Sequence, residues 1–170
     1  MYRRDVAVCW LAPEAKVRET ESVKPFRLFC LLTLFTALIA GRASAKPGWL
    51  TDLKEAQEQA KTGKKLVLVD FTGSDWCGWC IKLDREVFSK PEFKAYADKN
   101  LVLLEVDFPK GKEQTPIERK QNQELAMKYD IEGFPTIVVL DEEGKQVGVL
   151  GYTPGGPAAF IAELEKFRKS

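Results

Sequence analysis

The sequence predicts an α/β protein with a central mixed sheet and helices on both faces, and three observations lead to that class. Residues 66–71 (LVLVDF) and 101–108 (LVLLEVDF) are almost continuously apolar, as in strands buried on both faces. Segments with helical spacing precede, separate and follow these two runs. Near the C-terminus, two further apolar runs flank the acidic turn at 141–144, which predicts an antiparallel hairpin.

The helices of the N-terminal half are predicted from their start signals and their apolar faces. Residues 51–62 carry small and apolar side chains at helical spacing, with Thr51 as the candidate N-cap. A second helix should begin at the cysteines, because the apolar positions from Cys80 to Phe88 share one face. The segment SKPE at 89–92 has the pattern of a capping box with an early proline, so a third helix should start there.

The remaining elements follow from the same patterns. In chain order we expect a strand over 101–108, a helix from about 116 to 129, strands over 136–140 and 145–150, and a final helix over 158–169. Strands separated by helices imply right-handed parallel crossovers, so only the final hairpin should add an antiparallel edge. We see no internal repeat and no second domain.

The first 45 residues have the three-part pattern of a secretory signal peptide. Residues 28–40 carry no charge, two basic residues precede them, and an A-x-A sequence follows at 43–45. A membrane span needs roughly 20 apolar residues, more than this run supplies. We therefore expect cleavage after Ala45, which separates an N-terminal extension and signal peptide over 1–45 from a folded domain over 46–170.

The leader predicts an exported protein, periplasmic or secreted in a bacterium. The alternative is a protein that stays anchored in the membrane by residues 28–40. Cleavage would remove Cys9 and Cys30 and leave Cys77 and Cys80 in a compartment where disulfides persist.

The composition excludes several classes of protein. The chain has 26 Lys and Arg against 25 Asp and Glu, which argues against a nucleic-acid partner. It contains no histidine, which removes Ser-His-Asp and Cys-His catalysis and every zinc site that needs histidine. No organic cofactor is indicated.

The stretch SDWCGWCIKL at 74–83 leaves four interpretations of the cysteine pair. A zinc site needs four ligands, and one CxxC without histidine supplies two. A purely structural disulfide is not favoured, because closing so short a loop stabilises the folded state by only about 2 kcal/mol, against about 3 for a 15-residue loop. The pair could also belong to a fold kept only for binding partners.

Thiol–disulfide chemistry is the interpretation that the position of the pair favours. Cys77 would lie at the N-terminus of a helix, where unpaired N–H groups and the dipole favour the thiolate. Cys80 lies one turn further along the same side. Cys77 is then the exposed nucleophile that attacks a substrate disulfide, and Cys80 is the thiol that resolves the mixed disulfide.

Two separated motifs resemble the thioredoxin superfamily. VDFTGSDWCGWC resembles its active-site segment, and YDIEGFPTIVVLDEEGKQVGVLGY at 129–152 resembles the second half of the same fold. CIKLDREVFSKPEF looks most like the exported thioredoxin-like branch, which includes the C-terminal domain of the bacterial transmembrane thiol:disulfide interchange protein. The resemblance covers residues 46 to the C-terminus and implies the thioredoxin fold.

The resemblance also implies roles for residues outside the cysteine pair. Pro135 would form a cis peptide beside the cysteines, although a trans proline that opens a strand is what its local sequence alone suggests. Phe134 and Trp76 would line the docking surface for substrates. Trp79 would be exposed and contact partners, or would pack onto its helix. Asp70 matches the buried strand aspartate that assists proton transfer with the resolving cysteine, unless it faces solvent at the strand end.

The sequence departs from thioredoxins at three points. One extra residue separates Asp70 from the cysteines, which puts its register in doubt. The dipeptide between the cysteines is Gly-Trp, so both the proline of thioredoxins and the histidine of strong periplasmic oxidants are missing. Glu105 falls about where thioredoxins carry a lysine. Two buried carboxylates would repel each other, and the pKa of one would rise.

These observations predict a monomeric thiol–disulfide oxidoreductase that reduces disulfides of exported proteins through the redox-active Cys77–Cys80 pair. The alternatives are a disulfide isomerase or oxidase and, from a different class, a metal-handling or protein-interaction module. The expected partners are disulfide-bonded or thiol proteins and an unidentified redox partner. Contact with a membrane is expected only if the leader is not cleaved.

Overall fold

The structure of the chain is a computed structural model that describes residues 46–168. The predicted leader over 1–45 and the candidate anchor over 28–40 lie outside the described residues. The described elements are α1 (Leu53–Gly63), β1 (Leu66–Thr72), α2 (Gly78–Leu83), a π-helical turn (Asp84–Phe88), α3 (Pro91–Asn100), β2 (Leu101–Asp107), α4 (Pro116–Lys128), β3 (Thr136–Leu140), β4 (Gln146–Leu150) and α5 (Gly156–Arg168). No helix between residues 46 and 168 is long and apolar enough to cross a membrane.

The four strands form one mixed sheet in the order β2-β1-β3-β4. β1 and β2 are parallel, with Leu66 opposite Leu101, whereas β1–β3 and β3–β4 are antiparallel. The expectation of a parallel crossover into β3 is therefore wrong. Asp107 and Thr136 both lie beside the C-terminal end of β1, so the connection through α4 leaves and re-enters the sheet at the same end. The amide of Asn122 in α4 donates to the carbonyl of Asp107 at 2.9 Å and holds the helix there.

Two predicted helix caps are corrected by the structure. The N-cap of α1 is Asp52 instead of Thr51, because its side chain accepts a hydrogen bond from the N–H of Glu55 at 2.7 Å. The capping box at 89–92 does not form. Ser89 ends the preceding π-helical turn and its hydroxyl bonds the carboxylate of Asp84 at 3.0 Å, so α3 begins at Pro91 without a side-chain cap.

Two apolar clusters cover the two faces of the sheet, as the predicted class requires. Val67, Val69 and Phe71 face the cluster that contains α1 and α4. Leu68 faces the other cluster, which contains the π-helical turn, α3 and α5. Because side chains alternate along a strand, Asp70 shares the face of Leu68 and lies under the helix that carries the cysteines.

A short N-terminal segment lies along the free edge of β2. The N–H of Trp49 donates to the carbonyl of Lys46 at 2.9 Å, which closes a turn. Leu50 then bridges to Leu104 in parallel, and the ring of Trp49 packs on Phe88 with 5.2 Å between centroids. The segment therefore fixes Lys46 beside the sheet.

Candidate active site

The cysteine pair lies at the start of α2, immediately after the loop that follows β1. Cys77 is the N-cap residue, and its sulfur accepts a hydrogen bond from the N–H of Cys80 at 3.2 Å. The two residues form a disulfide with 5.2 Å between their Cα atoms. Only 7% of Cys77 and 5% of Cys80 is exposed in this oxidised form, so Cys77 is less accessible than expected.

Two carboxylates hold the loop before the cysteines. Asp75 accepts hydrogen bonds from the N–H groups of Gly111 at 2.6 Å and Lys110 at 3.0 Å, which lower the pKa of its carboxyl group. Asp107 accepts from the N–H of Ser74 at 2.8 Å and from its hydroxyl at 2.6 Å. The loop after β2 therefore fixes the approach to the redox pair.

Trp76 lies on one side of the disulfide as a half-exposed side chain. Its indole N–H donates to the carbonyl of Phe108 at 2.7 Å, and its ring meets Phe134 edge-on at 5.9 Å. The ammonium of Lys110 lies 4.2 Å from the centre of the indole ring. These three contacts fix the orientation of the indole ring.

Trp79 is the more exposed of the two tryptophans, with 58% of its surface accessible. It also packs against Tyr152 at 5.2 Å, and the ammonium of Lys82 lies over both rings. The two sequence-based alternatives for Trp79 are therefore each partly realised: the side chain is exposed, but one edge is packed.

The Phe134–Pro135 peptide bond is cis, the geometry that the resemblance implies. Thr136, the next residue, pairs with Phe71 at the end of β1 that leads to the cysteines. Pro135 therefore lies at the same end of the sheet as the disulfide.

Two carboxylates are buried behind α2. Asp70 is 2% exposed and Glu105 is 6% exposed, and they are register partners on β1 and β2. The extra residue between Asp70 and the cysteines is accommodated in the loop after β1, so Asp70 keeps its inward position. No residue within 46–168 donates a hydrogen bond to the buried Oδ1 of Asp70.

Burial dominates the electrostatics of this carboxylate pair. Burial raises the pKa of Asp70 from 3.8 to about 7; Lys46 opposes the rise, and Glu105 adds to it. Burial also raises the pKa of Glu105. A carboxyl group with a pKa near 7 suits a proton acceptor that works near neutral pH.

The domain that contains this site matches a known protein family. A family model described as a thioredoxin-like domain matches residues 53–168. Disulfide bond reductase DsbH of Chlamydia pneumoniae is 43% identical over 115 residues, which cover 68% of this chain and 69% of the relative. This chain belongs to the thioredoxin-like family.

Two further comparisons agree with that assignment. Thioredoxin-related protein DsbJ of Chlamydia pneumoniae is 31% identical over 135 residues, covering 76% of this chain and 39% of DsbJ. A solved structure of the DsbH oxidoreductase matches with a TM-score of 0.68 and 38% identity, over 75% of this chain and 92% of that one. The thioredoxin-like fold is thus confirmed, and the chain is a thiol–disulfide oxidoreductase whose redox centre is the disulfide. Within residues 46–168, no group of three His, Cys, Asp or Glu side chains could hold a metal ion.

Sequence reasoning missed several residues of this thioredoxin-like site. Lys46 lies among the buried carboxylates, and Tyr152 and Lys82 complete the packing around Trp79. Lys46 has no periodic or motif context in the sequence and sits at the edge of the predicted leader. Tyr152 is 73 positions after Trp79, and only the fold brings them together.

Gly73 provides the space that the indole of Trp76 occupies. A Cβ atom at Gly73 would lie 2.5 Å from the indole Cε2, so Gly73→Ala should displace the ring and break its bond to Phe108. The bond from Trp76 to Phe108 contributes about 1 kcal/mol to holding the ring in place. If the binding of insulin is weakened by the same amount, its KM should rise roughly fivefold. We expect little change in kcat and a shift in tryptophan emission.

The matched control for this prediction is Gly133→Ala, because a Cβ atom there meets no atom within 4 Å. It should leave both kinetic constants unchanged. An unaltered KM in Gly73→Ala, together with the expected shift in emission, would show that Trp76 does not bind the substrate.

Proposed function

We propose that the protein reduces disulfides of exported proteins with its Cys77/Cys80 dithiol. The observation that carries the proposal is a disulfide at the N-terminus of α2 with the buried Asp70 behind it. The direction is supported by the name of the relative DsbH, a disulfide bond reductase. The Gly-Trp dipeptide adds no positive charge, and extra stabilisation of the thiolate is what makes a dithiol strongly oxidising.

The reaction runs in two exchanges. The thiolate of Cys77 attacks one sulfur of the substrate disulfide, and the other substrate sulfur leaves as a thiolate that takes a proton from water. Cys80 then gives its proton to Asp70 and attacks the sulfur of Cys77. The Cys77–Cys80 bond forms, the bond from Cys77 to the substrate breaks, and the second substrate sulfur leaves with the electron pair. An unidentified redox partner must later return two electrons to the protein.

Trp76, Trp79, Phe134 and Pro135 are the proposed docking surface for the substrate. Trp76 and Trp79 expose 41% and 58% of their surfaces beside the disulfide. Phe134 touches Trp76 and precedes the cis Pro135, so these two residues extend the docking surface next to Trp76. Flat aromatic faces beside a nucleophile suit extended protein segments of varied sequence.

The proposed location follows from the leader. We place the active form outside the cytoplasm, periplasmic or secreted in a bacterium, as a monomeric domain over 46–170 released by cleavage after Ala45. The mass of the protein isolated from an expressing bacterium tests this location. An intact chain in the membrane fraction would instead support an anchor at residues 28–40.

The reduction potential of the Cys77/Cys80 pair decides between a reductant and an oxidant. We expect a value near that of thioredoxin, about −270 mV, because no added charge stabilises the thiolate. The measurement is equilibration in dithiothreitol redox buffers, followed by the fluorescence of the nearby tryptophans. A value close to about −120 mV would contradict the proposal and would favour an oxidase.

A further inference from the structure

One ammonium group serves three carboxylates behind the redox pair. The Nζ of Lys46 lies 3.1 Å from Oδ1 of Asp84, 3.2 Å from Oε1 of Glu105 and 3.7 Å from Oδ2 of Asp70. The three acids come from the π-helical turn, β2 and β1, so a single side chain joins the three elements around the site. The Lys46 side chain is 27% exposed, whereas those of Asp70 and Glu105 are 3% and 7% exposed.

The position of this ammonium is fixed by the segment that carries it. The turn from Lys46 to Trp49 and the bridge from Leu50 to β2 hold the backbone. The rings of Trp49 and Phe88 lie 5.1 Å and 5.9 Å from the ammonium and limit where it can move. Burial raises the pKa of Glu105, and Lys46 opposes the rise through its charge and through hydrogen bonds from its ammonium and its backbone N–H.

The charges that face Asp70 from the surrounding elements act in opposite directions. Lys46 lowers the pKa of Asp70, whereas Glu105, Asp84 and Asp107 raise it. Lys46 is the one cation among these four charges. A buried carboxylate that loses its counter-charge is left uncompensated, and its neutral form is then favoured.

A cavity connects this cluster to water. It has a volume of about 250 Å³ and is lined by Lys46 and Glu105 together with Ser74, Asp107 and Lys112. Asp70 does not line the cavity. Lys46 and Glu105, which lie beside Asp70, do line it.

We propose that Lys46 is a positioning residue of the redox site, whose ammonium holds the carboxylates of Asp70 and Glu105 in place and supplies the counter-charge for ionised Asp70. The inference rests on the proposed role of Asp70 in accepting the proton of Cys80. In that step the proton moves from the sulfur of Cys80 to Asp70, and the new thiolate attacks Cys77. Lys46 touches neither sulfur in the described structure and acts through Asp70.

The test uses a small disulfide, 5,5′-dithiobis(2-nitrobenzoate), to distinguish the reaction of Cys77 from that of Cys80. The reduced full chain, with Cys9→Ser and Cys30→Ser, should release one thionitrobenzoate as Cys77 attacks and a second as Cys80 resolves. The second phase requires the proton transfer, so its pH profile reports on Asp70. No protein substrate is needed, so the result does not depend on whether the protein is a reductase in the cell.

We expect Lys46→Met to shift the acid midpoint of the second phase upward by about one pH unit, which slows that phase roughly fivefold at pH 7, because the ionised fraction of Asp70 falls from about one half to about one eleventh. Lys46→Arg keeps the charge and should remain close to the unmodified chain. Lys94→Met removes an exposed lysine of α3 and should change nothing. Glu105→Gln removes a negative neighbour of Asp70 and should move the midpoint downward.

An unchanged second phase in a folded Lys46→Met protein would overturn the proposal. If that variant does not fold, Glu105→Gln decides, because an upward or absent shift would also overturn it. Failure of the unmodified protein to reduce insulin would refute the proposed function alone, since the two phases with the small disulfide would still measure the role of Lys46.

Discussion

Replacing Cys80 with serine will trap the protein in mixed disulfides with its substrates, whereas replacing Cys77 with serine will stop the exchange at its first step. Cys77 caps α2 and receives the N–H of Cys80, so in the reduced protein its thiolate is the one that the helix end stabilises. Cys80 lies one turn deeper and can attack only the sulfur of Cys77. We expect each variant to lose turnover on the order of a thousandfold or more, as when a unit of paired catalytic groups is broken.

The measurement is insulin reduction followed by turbidity, with acid-quenched samples run on non-reducing gels. Covalent adducts should accumulate with Cys80→Ser and be absent with Cys77→Ser. The variant with Cys9→Ser and Cys30→Ser is the control and should keep full activity. Turnover by both single variants at the rate of the unmodified chain would refute thiol–disulfide exchange through this pair.

Asp70→Asn will make the protein more stable at alkaline pH and slower in the resolving step. The pKa of Asp70 is raised from 3.8 to about 7, so the native state binds more protons than the unfolded state between these values. Stability therefore falls as the pH rises through this window, and the full cost is present above pH 7. Three pKa units set an upper limit of about 4 kcal/mol, and we expect asparagine to recover about 2 kcal/mol at pH 8.5 and almost nothing at pH 4.

Urea denaturation of the oxidised protein at both pH values measures this effect. The matched control is Asp98→Asn on the exposed face of α3, which should show no pH-dependent gain. Loss of the proton acceptor should also slow the release of the second thionitrobenzoate by about a hundredfold. A gain in stability that is equal at both pH values would show that ionisation of Asp70 is not its source.

The sequence predicted the redox pair because all of its signals are local. A buried strand, a CxxC and an apolar helix face stand next to one another, and each has a physical cause within a few residues. The cis Pro135 came from resemblance, because a proline before a strand is compatible with either isomer.

The direction of β3 was not predictable from the same local patterns. A helix between two strands indicates a crossover, yet α4 returns the chain to the end of the sheet that it left. The bond from Asn122 to Asp107 joins α4 to that strand end, and no periodicity in the sequence encodes this contact. The capping box failed for a related reason, since Ser89 is drawn to Asp84 by the π-helical turn before it.

The carboxylate cluster was half predicted. Asp70 and Glu105 stand in strands whose alternation and pairing can be estimated, so a buried pair was a reasonable expectation. Lys46 comes from a segment that is neither helix nor strand, and its role depends on a turn and a single bridge. A charged residue in such a segment can be assigned to a site only from the folded structure.

Because the backbone N–H of Lys46 bonds the carboxylate of Glu105, removal of the signal peptide would change the charge beside the buried acids. Cleavage after Ala45, as proposed, would turn that amide into an α-amino group with a pKa of about 8. The newly created terminus would then place a second positive charge on the buried acids. The processed protein would then carry one more positive charge behind its dithiol than the precursor.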